Sequence, residues 1–131
     1  MSRYRNSNQN MYNSRYEERY QINPFDKKVW GPKLWEVMHT FSFAYQPNPS
    51  NNEKQAAFNF YTSLGPLIPC KTCSQHCLEY LRDNPPRVNT RDELILWVFN
   101  FHNEVNRRLG KRLYTKQELF DRYENVAFCN S

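Results

Sequence analysis

No run in this chain approaches the roughly 20 apolar residues of a membrane span. The N-terminus also has no apolar core of the kind that a secretory leader carries. Membrane insertion and ordinary secretion are therefore not expected. The same end contains arginines, but Glu17, Glu18 and many asparagines make it a poor mitochondrial presequence. No segment shows the period-two alternation of a half-buried strand. The chain has no second C-x-x-C and no pair of histidines at zinc-finger spacing, so the common structural zinc folds lack their ligands. Aliphatic residues are scarcest in residues 1–24, where Ile22 stands alone apart from Met1 and Met11. A segment crowded with Asn, Ser, Tyr and Arg cannot bury enough surface to offset its ordering entropy. Residues 1–24 are thus expected to form a disordered polar tail.

What remains is one domain, expected over residues 25–127, with a short tail at 128–131. It is rich in large rings, among them Trp30, Trp35, Trp97, Phe41, Phe43, Phe99 and Phe101. An all-α core of this size could be filled with fewer rings, which raises the prospect of a planar ligand between helices. The formal charge is +5, from 18 Lys+Arg against 13 Asp+Glu. Because the basic residues are interleaved with acids, this reads first as a solvated basic surface. Weak attraction to nucleic acid or acidic partners follows at low salt, but a nucleic-acid partner is not expected.

The remaining pattern is helical. Pro32 suits the first turn of a helix that Trp30-Gly31-Pro32 feeds as a turn. Leu34, Val37, Met38 and Phe41 then recur at helical spacing as far as Tyr45, before Pro47 and Pro49. Ser50-Asn51-Asn52-Glu53 is a capping box for a second helix, which Gly65-Pro66 should stop. A third helix begins at Cys70 and ends at Asn84-Pro85-Pro86. The fourth opens on Thr90-Arg91-Asp92-Glu93, also a capping-box pattern, and carries the stripe Leu94, Trp97, Val98, Phe101, Val105 and Leu109. Gly110 is its expected C-cap. Thr115-Lys116-Gln117-Glu118 caps a short fifth helix with Leu119 and Tyr123. The fold class is all-α: a four-helix bundle plus a short fifth helix.

Four cysteines, Cys70, Cys73, Cys77 and Cys129, argue for catalytic or metal use over stapling in a chain that does not look secreted. Cys70-Lys71-Thr72-Cys73 follows Pro69 at a helix head, where free amide N–H groups and the helix dipole favour a thiolate. Such a pair can close a disulfide that opens and reforms through a mixed disulfide. A zinc half-site drawing on Cys77, His76 or His102, and two merely packed thiols, are the alternatives. A thioredoxin reading would need a βαβ context that is absent. Cys77, one turn beyond Cys73, reads as a packed small hydrophobe.

Other residues change the weighting. Trp35 and His39 share one helical face, and His102 and Asn106 share another. Flat rings and imidazoles on two helices, with a thiol pair heading a third, would suit a flavin, and Lys111 offers charge to a diphosphate. The residues Trp30-Gly31-Pro32-x-x-Trp35-x-x-x-His39, Tyr45, Pro69-Cys70-x-x-Cys73 and His102-Asn103-x-Val105-Asn106-x-x-Leu109-Gly110-Lys111 together resemble the Erv/ALR family of FAD-linked sulfhydryl oxidases. The resemblance covers about residues 29–111, and the short form is similar to members encoded by large DNA viruses.

That resemblance implies an enzyme, a thiol oxidase that forms disulfides in protein dithiol substrates, with FAD as cofactor, oxygen as electron acceptor and hydrogen peroxide as product. It implies that Cys70 meets the incoming thiol and that Cys73 lies against the flavin as a charge-transfer thiolate. The implied cofactor contacts are Gly31, Lys33, Trp35, His39, Tyr45, His76, His102, Asn103, Val105, Asn106, Leu109, Lys111 and Tyr123; no metal is implied. A homodimer through the first two helices is implied as well. The setting would be host cytoplasm or virion for a viral protein, and otherwise the mitochondrial intermembrane space. Two features depart from the family: no shuttle cysteine pair lies in the N-terminal tail, and Arg82 and Lys116 stand where the family's structural disulfide is expected. Cys129 could serve as an unpaired shuttle and is expected to be dispensable for small dithiols. A zinc-bearing helical interaction module and a basic nucleic-acid-binding helical protein are the rival readings.

Overall fold

Capping chemistry sets where each helix begins. In the computed structural model, which describes residues 22–124, Asp26 takes the N-cap role by accepting the Lys28 N–H at 2.9 Å. Helix α1 then runs Lys27–Ala44. The turn expected at Trp30-Gly31-Pro32 is corrected accordingly, because these residues lie inside α1. Pro32 deprives the Lys28 carbonyl of its helical donor, a local cost that one turn near a helix end tolerates. The Trp30 indole N–H meanwhile donates back to the Phe25 carbonyl at 3.0 Å and ties down the entry strand of chain.

Helix α2 spans Asn51–Leu67 behind the expected Ser50/Glu53 capping box, and it runs through Gly65-Pro66 to end two residues later than expected. Helix α3, Lys71–Asp83, is capped by Cys70. Helix α4, Arg91–Arg108, starts at Thr90, whose hydroxyl accepts the Glu93 N–H at 3.2 Å. The expected capping box there is only half formed, since Glu93 Oε2 is buried without a partner. Gly110, one residue past the Leu109 C-cap, adopts a φ of 68° that favours glycine. Helix α5, Lys116–Tyr123, has the complete Thr115/Glu118 box. Among the described residues every regular element is a helix. The all-α expectation therefore holds. Most of the predicted tail and all of residues 125–131, including Cys129, lie outside the described residues.

The α4 stripe is the core. Leu94, Trp97, Val98 and Phe101 are buried with Met38 of α1, Tyr61 of α2, and Cys77 and Leu81 of α3. Removing each such side chain from water contributes about 1.5–3 kcal/mol. Helix α1 packs along α4, α2 against α3, and α5 folds back onto α1. A smaller cluster of Ile95, Phe99 and Leu119, flanked by Phe43, Phe120 and Tyr123, seats α5.

Three polar ties fix the relative positions of the helices. The buried Tyr61 hydroxyl donates to the Met38 carbonyl at 2.8 Å. The Tyr45 hydroxyl donates to the Val88 carbonyl at 2.7 Å, pinning the end of α1 to the α3–α4 connection. The Ser74 hydroxyl donates to the Gly65 carbonyl at 2.7 Å. A Cβ on Gly65 would stand 3.1 Å from Leu78 Cδ2, so glycine lets α2 and α3 close at the junction that presents Cys70.

Candidate active site

The head of α3 is built by a cysteine acting as a cap. Cys70 has extended backbone angles, φ −156° and ψ 114°, and its Sγ accepts the Cys73 N–H at 3.3 Å. A thiol is a weak acceptor and a thiolate a strong one, so this position favours the anion. The Cys70 thiol is held below its usual value, first by the hydrogen bond from the Cys73 thiol and then by the Cys73 backbone N–H. Burial pushes Cys73 up. Of the reduced pair, Cys70 is thus the thiol that gives up its proton more readily. Both are free thiols here, as is Cys77. Cys77 is buried in the core with its thiol pushed up to about 11 by burial, which makes it an inert packing group.

Beside this pair lies a cavity of about 770 Å³ among α1, α3, α4 and α5, within the roughly 300–1,000 Å³ range of small-molecule sites. Cys73 borders it and Cys70 does not. Its walls are rings. Trp35 and His102 stack with centroids 4.1 Å apart and planes 8° from parallel. Tyr114 meets His102 edge-on at 4.8 Å, and Tyr123 lies 5.4 Å from His39.

At the cavity floor, buried His39 Nε2 and His102 Nδ1 are 2.8 Å apart, one donating to the other. His39 Nδ1 is buried and, among the described residues, meets no hydrogen-bond partner. Both rings are held neutral. Burial, aided by the Arg122 cation and opposed by Glu36, lowers His39 to about 4. Burial, with His39 and the Lys111 cation, lowers His102 to about 3.

Of the residues singled out from the sequence, the cavity gathers Cys73, Gly31, Trp35, His39, His76, His102, Val105, Asn106, Leu109, Lys111 and Tyr123. Four lie elsewhere. Cys70, half-buried at the cap of α3, is not part of the lining. Lys33 is exposed on α1, away from the lining. The hydroxyl of Tyr45 is committed to Val88. The Asn103 amide is committed to Tyr114, donating to its carbonyl at 3.0 Å and accepting its N–H at 2.8 Å. Lys33, Tyr45 and Asn103 are thus not among the residues that line this cavity.

Sequence reasoning missed Lys27, Trp30, Glu36, Tyr114 and Arg122, all of which line the cavity. Asp26 was the available signal for the first two, since a helix starting there puts Lys27, Trp30, Gly31, Leu34 and Trp35 on one face. Tyr114 sits in a loop with no periodicity to read. Among the described residues no three His, Cys, Asp or Glu side chains are grouped to hold a metal ion, and no helix is long and apolar enough to cross a membrane.

A helical scaffold that sets one thiol of a pair against a ring-walled cavity, and keeps the other outside its lining, defines a dithiol redox module with a site for a flat ligand. Comparison with known proteins agrees. Residues 32–124 match the Erv1 / Alr family. The FAD-linked sulfhydryl oxidase of African swine fever virus is 34% identical over 95 residues, covering 72% of this chain and 80% of its own length. A protein of Invertebrate iridescent virus 3, provisionally named as the same kind of oxidase, is 37% identical over 100 residues, covering 75% of this chain and 68% of its own. The crystal structure of the FAD-binding domain of Erv1 from Saccharomyces cerevisiae superposes with a TM-score of 0.73 at 27% identity, covering 76% of this chain and 95% of that one. The chain belongs to the Erv1 / Alr family.

The histidine pair makes stability depend on pH in a defined direction. The unfolded chain takes up protons on both rings near pH 6.5, whereas the folded chain resists until about 4 at His39 and 3 at His102. Unfolding then binds protons, so stability is full above about pH 6.5 and is lost as pH falls towards 4. Thermal unfolding of the protein without added ligand is expected to show a midpoint that drops between pH 7 and 4.5. His102→Gln should flatten that drop, and an equally steep profile in the variant would contradict the assignment.

Proposed function

We propose that the chain is a FAD-linked thiol oxidase that makes disulfides in protein dithiols, with Cys70 and Cys73 as its redox pair. The observation that carries this reading is the division between the two thiols, with Cys73 bordering the cavity and Cys70 outside its lining. The residues present fit FAD. The cavity is ring-walled, His39 Nδ1 awaits a partner, and a Cβ on Gly31 would meet nothing within 4 Å, leaving open space along α1. Trp35, His102, Tyr123 and Gly31 would hold the ring systems, with His39 and Asn106 as polar contacts and Lys111 as a cation for the diphosphate. When bound, FAD supplies a two-electron acceptor that oxygen restores, releasing hydrogen peroxide.

The protein's own steps follow from the head of α3. A substrate thiolate attacks Cys70 Sγ of the Cys70–Cys73 disulfide, forming a mixed disulfide and releasing Cys73 as a thiolate. With Cys70 bonded to substrate, it no longer competes for the negative charge, and the N-terminal amides of α3 favour the anion at Cys73. A second substrate thiol then attacks the substrate sulfur of the mixed disulfide, and Cys70 leaves as a thiolate on the N-cap. The substrate gains one disulfide, and the pair holds two electrons to pass on.

We read the exposed apolar face of α1 and α2 as a homodimer interface. Val37 is 40%, Phe41 52% and Phe58 38% exposed, and Phe41 lies 5.3 Å from Phe60 across the two helices. A face of this kind is costly for a monomer to leave in water. Similarity to viral proteins favours a virus-encoded enzyme working in the host cytoplasm or the virion.

Two outcomes test these assignments. Cys70→Ala and Cys73→Ala should each lower oxidation of dithiothreitol by at least about 100-fold while circular dichroism stays helical. Cys70→Ala with FAD should show a long-wavelength absorption band from the Cys73 thiolate facing the ring; a band in Cys73→Ala instead would reverse the roles. For the interface, sedimentation should give a dimer at micromolar concentration and a monomer for the double variant Phe41→Asp/Phe58→Asp. A wild-type monomer would refute the interface.

A further inference from the structure

Helix α5 has eight residues, too few to be stable alone in water, so contacts elsewhere must decide where it lies. Its apolar seat is the small Ile95, Phe99 and Leu119 cluster. Its other attachment is polar and converges on one carboxylate of α1. Arg122 Nη2 donates to Glu36 Oε1 at 2.9 Å and to Oε2 at 2.8 Å, and its Nε donates to Oε2 at 3.3 Å. The Tyr123 hydroxyl donates to Glu36 Oε2 at 3.0 Å. One acid thus holds two consecutive side chains of α5. The Tyr123 ring so held lies 5.4 Å from His39 on one side and stacks on Phe43 at 5.3 Å on the other. Glu36, Arg122 and Tyr123 all line the cavity, and Glu36 sits between Trp35 and His39 on α1.

We propose that Glu36 is a positioning residue for the ligand site, clamping Arg122 and Tyr123 so that α5 closes the cavity with the Tyr123 ring beside His39. The inference rests on reading that cavity as the FAD site. Glu36 acts through α5 and performs no chemistry. The carboxylate is held below its usual range, chiefly by the Arg122 hydrogen bonds, so the clamp stays charged through the neutral range. Both partners are half in solvent, with side chains 63% and 47% exposed, so the pair is screened by salt and modest in strength. The hold on a ligand should therefore weaken as ionic strength rises.

The test uses the full chain loaded with FAD, following release by the recovery of flavin fluorescence after dilution at low and at roughly half-molar salt. Wild type should release FAD faster in high salt. Glu36→Gln should release it about two- to fivefold faster at low salt and show little further salt effect. The charge swap Glu36→Arg/Arg122→Glu should restore slow, salt-sensitive release that neither single change shows. Hydrogen exchange at Phe120 to Tyr123, measured without FAD, should rise in Glu36→Gln. Unchanged release and unchanged exchange in that variant would overturn the proposal, as would faster exchange with unaltered release. Should wild type fail to bind FAD, the oxidase reading falls, and the exchange result alone then decides whether Glu36 clamps α5.

Discussion

The hydrogen bond between His39 and His102 is the constraint on which the rest of this structure turns. It joins α1 to α4 in the buried interior, and it works only while both rings are neutral, because a buried unpaired charge would cost far more than the bond returns. It also orients its surroundings: with His102 fixed, Trp35 can stack flat upon it and Tyr114 can abut its edge. The remaining nitrogen of His39 is left without a partner among the described residues. A buried polar atom in that state costs about 1–3 kcal/mol, a cost that a ligand atom could remove.

The second organising feature is the use of a helix N-terminus to make two chemically similar thiols unequal. Cys70 occupies the cap and receives the amide of Cys73, whereas Cys73 lies inside the first turn and is more buried. Cys70 lies outside the cavity lining with its thiol held below its usual value; Cys73 borders the cavity with its thiol pushed up by burial. Gly65 and Ser74 bring α2 close enough to hold that end in place. The asymmetry between the two thiols thus comes from the Cys73 thiol and backbone N–H at Cys70, and from burial at Cys73.

Local chemistry made much of this legible in advance. Ser50, Thr90 and Thr115 announce three helix starts, the apolar stripe of α4 announces the core, and Pro69 with the C-x-x-C announces the reactive helix head. Local signals carry less where a residue's commitment is to a distant partner. Pro32 reads as a first-turn residue, yet Asp26 caps the helix a turn and a half earlier. Tyr45 and Asn103 lie within ligand-like motifs, but their polar atoms are committed to backbone 43 and 11 residues away. The Glu36–Arg122 clamp spans 86 residues, and no spacing rule couples positions so far apart. Helix starts and faces follow from neighbours in sequence; side-chain commitments follow from neighbours in space.

The ring-walled cavity beside Cys73 is the proposed flavin site. The visible absorption spectrum of the purified protein tests it most directly. A yellow protein with flavin absorption near one FAD per chain is expected, with weaker retention after His102→Ala, which removes the ring that Trp35 and His39 both contact. A colourless protein that also fails to take up added FAD would contradict it.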